Sequence, residues 1–356
     1  MDKMRKFLSL FLLAGMLFSG CNGQEKYSVV ILGDTHYDAA DPELYHAGYR
    51  APTPAKDSVR REEFARNGNM WEDRCPRLVN RAAGLVGKDT RYVLQVGDLI
   101  QGDTADSTTH VRFLDDAVNL LKGHIAPGLP FVSVNGNHDR RGMDDALCRR
   151  AYRAYMLPRM SQELGQEITH TSYLFRQGPD AFVAVNYASS NLDGIKSLLE
   201  EARGSRHVFV LIHTPVFPFD EPDIFHWFFL GSRNDSKAQE RREMRTLLAS
   251  LNAIVLCGHT HSTELLDWEG DSGRITQMTM SSVWAADSLA NYKVRHSGAD
   301  GYPDYDPIFE EYRPGIKRYL WSDAVGSYKL IVNGDRVYVD FYAGDSRRRT
   351  ERFILR

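Results

Sequence analysis

The stretch "AIVLCGHTHS", residues 253–262, decides how this chain is read. Four apolar residues run into a cysteine and a glycine, and two histidines then flank a single threonine. A short apolar run bounded by a turn residue fits a buried strand. His259 and His261 therefore stand just past a strand's carboxyl end. Alternate residues of an extended segment share a face, so the two imidazoles are expected to point the same way. Such a pair is either two hydrogen-bonded structural residues or part of a metal site. The rest of the chain has to decide between them.

Working outward, the same grammar recurs. Apolar runs lie at Ser28–Leu32, Tyr92–Val96, Phe131–Val134, Ala181–Val185 and His207–Ile212. After the first comes "GDTH" (Gly33–His36), after the second "GD" (Gly97, Asp98), and after the third "NGNHD" (Asn135–Asp139). The run ending at Ile212 leads straight to His213. Each piece alone is weak, because Gly-Asp also occurs at Gly102-Asp103, Gly270-Asp271, Gly334-Asp335 and Gly344-Asp345, where turn chemistry accounts for it. Five strand ends in order, each delivering Asp, Asn or His, is a different matter. In open α/β sheets that carboxyl edge is where ligands bind.

Between the runs lie amphipathic stretches with an i, i+3/i+4, i+7 pattern: Leu78, Ala82, Leu85; Val111, Leu114, Val118, Leu121; Ile195, Leu198, Leu199, Ala202; Met244, Leu247, Leu248, Leu251. Strand and helix in alternation give the α/β class. Near the end, Ile275–Met280 and "YKLIVNGDRVYVDFY" read as β, the latter a hairpin turning at Asn333-Gly334. With no linker or internal repeat, residues 27–356 are treated as one domain. Tyr37–Asp73 and the Trp-, Tyr- and Pro-bearing Ser282–Asp323 read as insertions.

The order DxH, GD, GNH[D/E], H, GHxH closely resembles the signature of the calcineurin-like metallophosphoesterases, over most of the chain from Ser28 to His261. The resemblance implies a four-layer αββα sandwich, two mixed sheets flanked by helices. It implies a binuclear centre in which Asp34, His36 and His261 bind one metal, Asn137, His213 and His259 the other, and Asp98 bridges both. His138 would not be a ligand but would face the substrate and assist the leaving group. Imidazole and carboxylate donors without thiolates suit Zn, Fe or Mn. Two such ions can activate a bridging water for in-line attack on phosphorus. Purple acid phosphatases carry a tyrosine at GDxxY, where this chain has Gln101, so the tyrosinate–iron absorption band should be missing. The pattern is closer to the broader bacterial phosphoesterases and cyclic-nucleotide phosphodiesterases.

The amino terminus carries a second message. "MDKMRK" is basic, Phe7–Phe18 is almost wholly apolar, and "SGC" ends at Cys21. This order reads as an export signal over residues 1–20, followed by a short tether at 21–26. "FSGC" resembles a lipobox, which implies lipidation of Cys21 and a membrane-anchored protein, periplasmic or on the cell surface. Cleavage would move the formal charge from −3 to −5. An acidic mature chain without a Lys/Arg block argues against a nucleic-acid partner; "SRRRTERF" (Ser346–Phe353) reads as a solvated face or tail. Cys75, Cys148 and Cys257 remain, and a Cys75–Cys148 bridge is left open.

"GLVGKDT" (Gly84–Thr90) lacks the spacing of a phosphate loop, and no GxSxG elbow is present. The other seven histidines read as surface or structural. The aromatic "DIFHWFFLG" (Asp223–Gly231) either packs over the core or, through Trp227 with Trp284 and Tyr292, walls a substrate pocket. Arg140 and Arg141 follow "GNHD" and are candidates for a phosphate contact. The expected substrate is a small phosphate monoester or diester. The alternatives are a nucleotide or cyclic-nucleotide phosphodiesterase or nuclease and, from another class, a non-catalytic surface lipoprotein using the fold as a binding module.

Overall fold

The computed structural model describes residues 26–39, 41, 44–45, 54–142, 144–219, 228–231, 237–282, 292–304 and 307–356. The leader 1–20, Cys21, Trp227 and Trp284 lie outside the described residues. Strands are numbered in chain order.

Two mixed sheets form the centre. In the first, β1 (Lys26–Leu32), β2 (Thr90–Gln95) and β3 (Phe131–Ser133) run parallel. Beyond β1 it continues antiparallel through β12 (Gly326–Asn333), β13 (Arg336–Ala343) and β14 (Glu351–Ile354). The second sheet contains β4 (Tyr173–Gln177), β5 (Asp180–Val185), β6 (Val208–Ile212), β7 (Ile254–Cys257), β8 (Thr263–Gly270), β9 (Gly273–Thr279), β10 (His296–Ser297) and β11 (Ile316–Ser322). Its order is β10-β11-β8-β9-β7-β6-β5-β4, with β5, β6, β7 and β9 parallel.

Strand alternation explains the layering. Phe182, Ala184, Phe209, Leu211, Ile254 and Leu256 join one core with the first sheet, while Ala181, Val183, Val185, Val208, Val210 and Val255 join another. Successive side chains point to opposite faces, so β5–β7 are buried on both sides. Each such side chain contributes about 1.5–3 kcal/mol on burial. Helices Pro54–Ala83, Ser107–Ile125 and Asp145–Leu164 pack on the first sheet or on one another, and Leu192–Glu201 and Ala238–Ser250 cover the second. The result is the expected α/β arrangement of helices outside two packed sheets.

Several expectations need correction. The Tyr37–Asp73 segment contains the start of the long helix from Pro54, and Ser282–Asp323 includes β10 and β11. The sequence pattern predicts neither helix Asp145–Leu164 nor strands β4, β8, β10 and β11. The hairpin turns on Gly334-Asp335, one residue later than read, because Asn333 still pairs with Arg336. Cys75, Cys148 and Cys257 are buried and free, so there is no Cys75–Cys148 bridge. "SRRRTERF" is partly an edge strand, with Arg352 Nε and Nη2 donating to Asp340 at 2.6 and 2.8 Å.

Candidate metal centre

The loops after β1 and β2 are laced together before any side chain is considered. The amides of Thr35 and His36 both donate to the carbonyl of Asp98, at 3.1 and 2.9 Å, and Tyr37 donates to Leu99 at 2.9 Å. Across the sheets, His213 Nδ1 meets the carbonyl of Val96 at 3.0 Å, and Gly258 donates to the carbonyl of His213 at 2.9 Å. A carbonyl can only accept, so the Val96 contact holds a proton on Nδ1 and turns His213 Nε2 into the site.

There the donors converge. His261 Nε2 lies 3.2 Å from Asp34 Oδ2 and 3.2 Å from His36 Nε2. His213 Nε2 lies 3.2 Å from Asp98 Oδ2, 3.0 Å from Asn137 Oδ1 and 3.2 Å from His259 Nδ1. Asp98 Oδ2 is also 3.8 Å from His36 Nε2. The far oxygens are held by backbone. Asp98 Oδ1 accepts the His138 amide at 2.7 Å, and the His259 amide donates to both Asp34 oxygens, at 3.1 and 2.9 Å. Asp34–His36–His261 and Asp98–His213–His259 are each compact enough to hold an ion. His36, Asp98 and His138 form a third such group.

The backbone is unusual where these side chains sit. His36, Asp98, His259 and His261 have φ of 44°, 52°, 76° and 55°. Non-glycine residues seldom adopt this left-handed conformation, and it concentrates at functional sites. It also corrects the reading of "GHTH". The segment is not extended, and the two imidazoles join different donor groups instead of sharing a face. Glycines make room beneath the carboxylates: a Cβ on Gly136 would stand 2.0 Å from Asp98 Oδ1, and one on Gly258 2.1 Å from Asp34 Oδ1.

Burial and mutual interaction set the charges of these groups. Burial lowers His36 and His259 well below the ordinary histidine range, and neighbouring imidazoles push the same way. Burial also opposes a charge on His213, but the carboxylates of Asp98 and Asp34 outweigh it and lift the group to about 9. Burial works against the Asp98 carboxylate too, yet His213 and His138 hold it well below the usual range. Metal binding needs the imidazole neutral, so an ion here would replace that proton.

The donor set fits such ions. It is imidazole nitrogen and carboxylate or amide oxygen, which suits Zn, Fe or Mn. Separations of 3.0–3.2 Å match neighbouring ligands at right angles on bonds of about 2.1 Å. Asp34, His36, Asp98 and His213 are buried, whereas Asn137, His138, His259 and His261 are half-buried and form the accessible side.

The calcineurin-like phosphoesterase profile matches residues 27–263. The chain belongs to that family. Among solved structures, one titled "GAP50 the anchor in the inner membrane complex of Plasmodium" is 13% identical with a TM-score of 0.50, over 93% of this chain and 88% of that one. A second, "Structure of PhoD", is 10% identical with a TM-score of 0.52, over 93% of this chain and 68% of its own. Both likenesses show the calcineurin-like fold. No curated protein matches the chain significantly.

Around the family's donor set, the chain has residues to which the sequence reading gave no role. Asp139, buried, accepts the amides of Gly136 at 2.8 Å and Ile100 at 3.1 Å, tying the loops after β2 and β3; burial and the nearby Asp98 raise it to about 7. Its signal was visible as the last letter of "NGNHD". His138 Nδ1 faces the carbonyl of Gln101 at 2.7 Å. Arg141, a candidate phosphate contact, pairs instead with Asp103 at 2.6 Å and lies 3.0 Å from His138 Nδ1. Burial first, then Arg141, lowers His138 to about 3. Arg140 stacks its guanidinium 5.7 Å from the Tyr187 ring centre, and that ring lies 5.9 Å from His213. Of the aromatic stretch, Phe228, Phe229 and Leu230 pack into the core of the second sheet. Tyr292 lies on Phe341 at 5.6 Å, against the first sheet. Of the remaining histidines, His110 bridges Thr104 and the Asp139 carbonyl, and His207 reaches the carbonyl of Gly334.

Proposed function

We propose that the chain is a two-metal hydrolase of phosphate monoesters or diesters. Asp34, His36 and His261 would hold one ion, Asn137, His213 and His259 the other, with Asp98 between them. The observation that carries this reading is the position of Asp98 Oδ2, 3.2 Å from His213 Nε2 in one group and 3.8 Å from His36 Nε2 in the other. Ions of this class supply Lewis acidity to phosphate oxygens and lower the pKa of water. The chain's own residues do the rest. Val96 and the His259 amide fix the orientation of His213 and Asp34, so little rearrangement is needed when substrate arrives. His138 gives its Nδ1 proton to the carbonyl of Gln101, which orients the ring, and it would assist a leaving oxygen through Nε2 once that nitrogen has taken up a proton.

The leader reading adds an anchor at Cys21. Among the described residues no helix is long and apolar enough to cross a membrane. A second reading, a surface module that binds without turnover, draws on the solved structure titled as an anchor. The full donor set with His138 beside it favours the enzyme.

Elemental analysis of the purified protein, paired with hydrolysis of p-nitrophenyl phosphate and bis-p-nitrophenyl phosphate, separates the two. About two ions per chain with chelator-sensitive turnover is the expected result. A protein that stays inert after loading with Mn, Zn or Fe ions would overturn the enzyme reading. Labelling with a fatty acid, lost in Cys21→Ser, tests the anchor.

A further inference from the structure

Beside the metal centre lies a cavity of about 310 Å³ with four arginines in its wall: Arg140, Arg149, Arg150 and Arg153. Arg140 follows the metal-site loop, and the other three come from helix Asp145–Leu164. Among the described residues none of the four makes an ion pair, whereas Arg159 on the same helix is tied to Glu163 at 3.0 Å. The capping Asp144 spends its side chain on the amides of Ala146 and Leu147.

Local physics disfavours this arrangement. Arg149 with Arg153, and Arg150 with Arg153, are like-charge pairs at i,i+4 and i,i+3. An anion in the cavity would relieve that repulsion. Asn135, Thr171 and Asn186 add polar groups to the same wall, with Asn135 Nδ2 donating to Asn186 at 3.0 Å and Asn186 Nδ2 to Thr171 at 2.9 Å. Asn135 lies two residues before Asn137, and the Tyr187 ring lies within 6 Å of both the Arg140 guanidinium and His213, at 5.7 and 5.9 Å.

We propose that Arg140, Arg149, Arg150 and Arg153 form a second phosphate-binding subsite, which selects substrates bearing another phosphoryl group, on a hydroxylated carbon frame, away from the ester that is cleaved. The selectivity rests on the two-metal reading; the binding does not. An adjoining groove of about 500 Å³ shares Arg153, Thr171 and Asn186 and adds the seryl positions Ser172, Ser189 and Ser190, giving room for a sugar or polyol.

Calorimetric titration of inorganic phosphate into the metal-free protein tests the subsite apart from catalysis. Wild type should bind saturably and in preference to chloride. Each of Arg149→Gln, Arg150→Gln and Arg153→Gln should weaken binding about tenfold, the scale of one charge-assisted hydrogen bond. Arg159→Gln should leave it unchanged. Absence of saturable binding, equal binding in every variant, or no preference over chloride would overturn the subsite. In the ion-loaded protein, the kcat/KM ratio for a sugar bisphosphate over its monophosphate should fall at least about tenfold in Arg149→Gln/Arg153→Gln. An unchanged ratio would overturn the substrate class. A wild type that hydrolyses no ester would fail the two-metal reading, while the phosphate titration would still report on the cavity.

Discussion

Two clusters of charge stand at opposite edges of the paired sheets. At the amino ends of β1 and β5, Asp180 accepts Tyr27 Oη at 2.8 Å, Arg206 Nε and Nη2 at 2.9 and 2.6 Å, and the His207 amide at 3.2 Å. Every acceptor there has a matching donor, and the cluster joins the two sheets. At the carboxyl ends, Asp34 and Asp98 meet imidazoles whose nitrogens face one another at 3.2 Å. The ingredients, carboxylate and nitrogen base between two sheets, are alike. One end is closed by its own hydrogen bonds, and at the other the donor atoms of both sheets converge on one another. Satisfaction marks a structural cluster and convergence marks a functional one.

If that contrast is right, mutations at the two ends should separate activity from stability. Asp98→Asn should lose bound metal and lower turnover about a thousandfold or more, beyond the 10–100-fold typical of losing a partner behind a ligand. Metal analysis with p-nitrophenyl phosphate kinetics checks this; retained metal and turnover would remove Asp98 from the centre. His138→Ala should cut turnover about a hundredfold while both ions stay bound. Lost metal would make His138 a ligand, as its grouping with His36 and Asp98 allows.

Asp180→Ala should do the reverse. Taking the carboxylate from half-buried Arg206, from Tyr27 and from the His207 amide costs about 2 kcal/mol of stability, read by urea unfolding, while turnover per folded molecule holds. Chelation is the next smaller perturbation. Removing ions present at about a hundredfold excess over Kd should lower stability by about 3 kcal/mol, in Asp180→Ala as in wild type but not in Asp98→Asn. Reductant sits at the bottom of the scale. With Cys75 and Cys148 both free, it should leave the melting temperature unchanged.

The carboxyl end was the more legible of the two. β6 and β7 are unbroken apolar runs, β1 and β2 carry apolar stretches at Val29–Leu32 and Tyr92–Leu94, and a glycine or histidine that marks the site follows each strand within two residues. Antiparallel β8 and β11 mix Asp, Glu, Lys and Arg with apolar residues, so their pattern dissolves into the surrounding loops. Helix Asp145–Leu164 buries Cys148, Ala151, Tyr152, Met156 and Met160, but arginines and Pro158 interrupt that stripe. The Tyr27–Asp180–Arg206 cluster was invisible for another reason. Its members are common residues 153 and 26 positions apart, and only the packing of the sheets brings them together. The left-handed backbone at His259 and His261 was hidden as well, since neither is a glycine.

The distribution of the donors also orders events in the life of the chain. Each group draws on both sheets: Asp34, His36, Asp98 and Asn137 follow strands of the first, and His213, His259 and His261 follow strands of the second. No segment emerging early from a ribosome, and no half of the sandwich alone, carries either group. Metal capture would therefore be a late act of maturation that reports the two halves as joined. Occupancy of the site would then be a record of successful assembly.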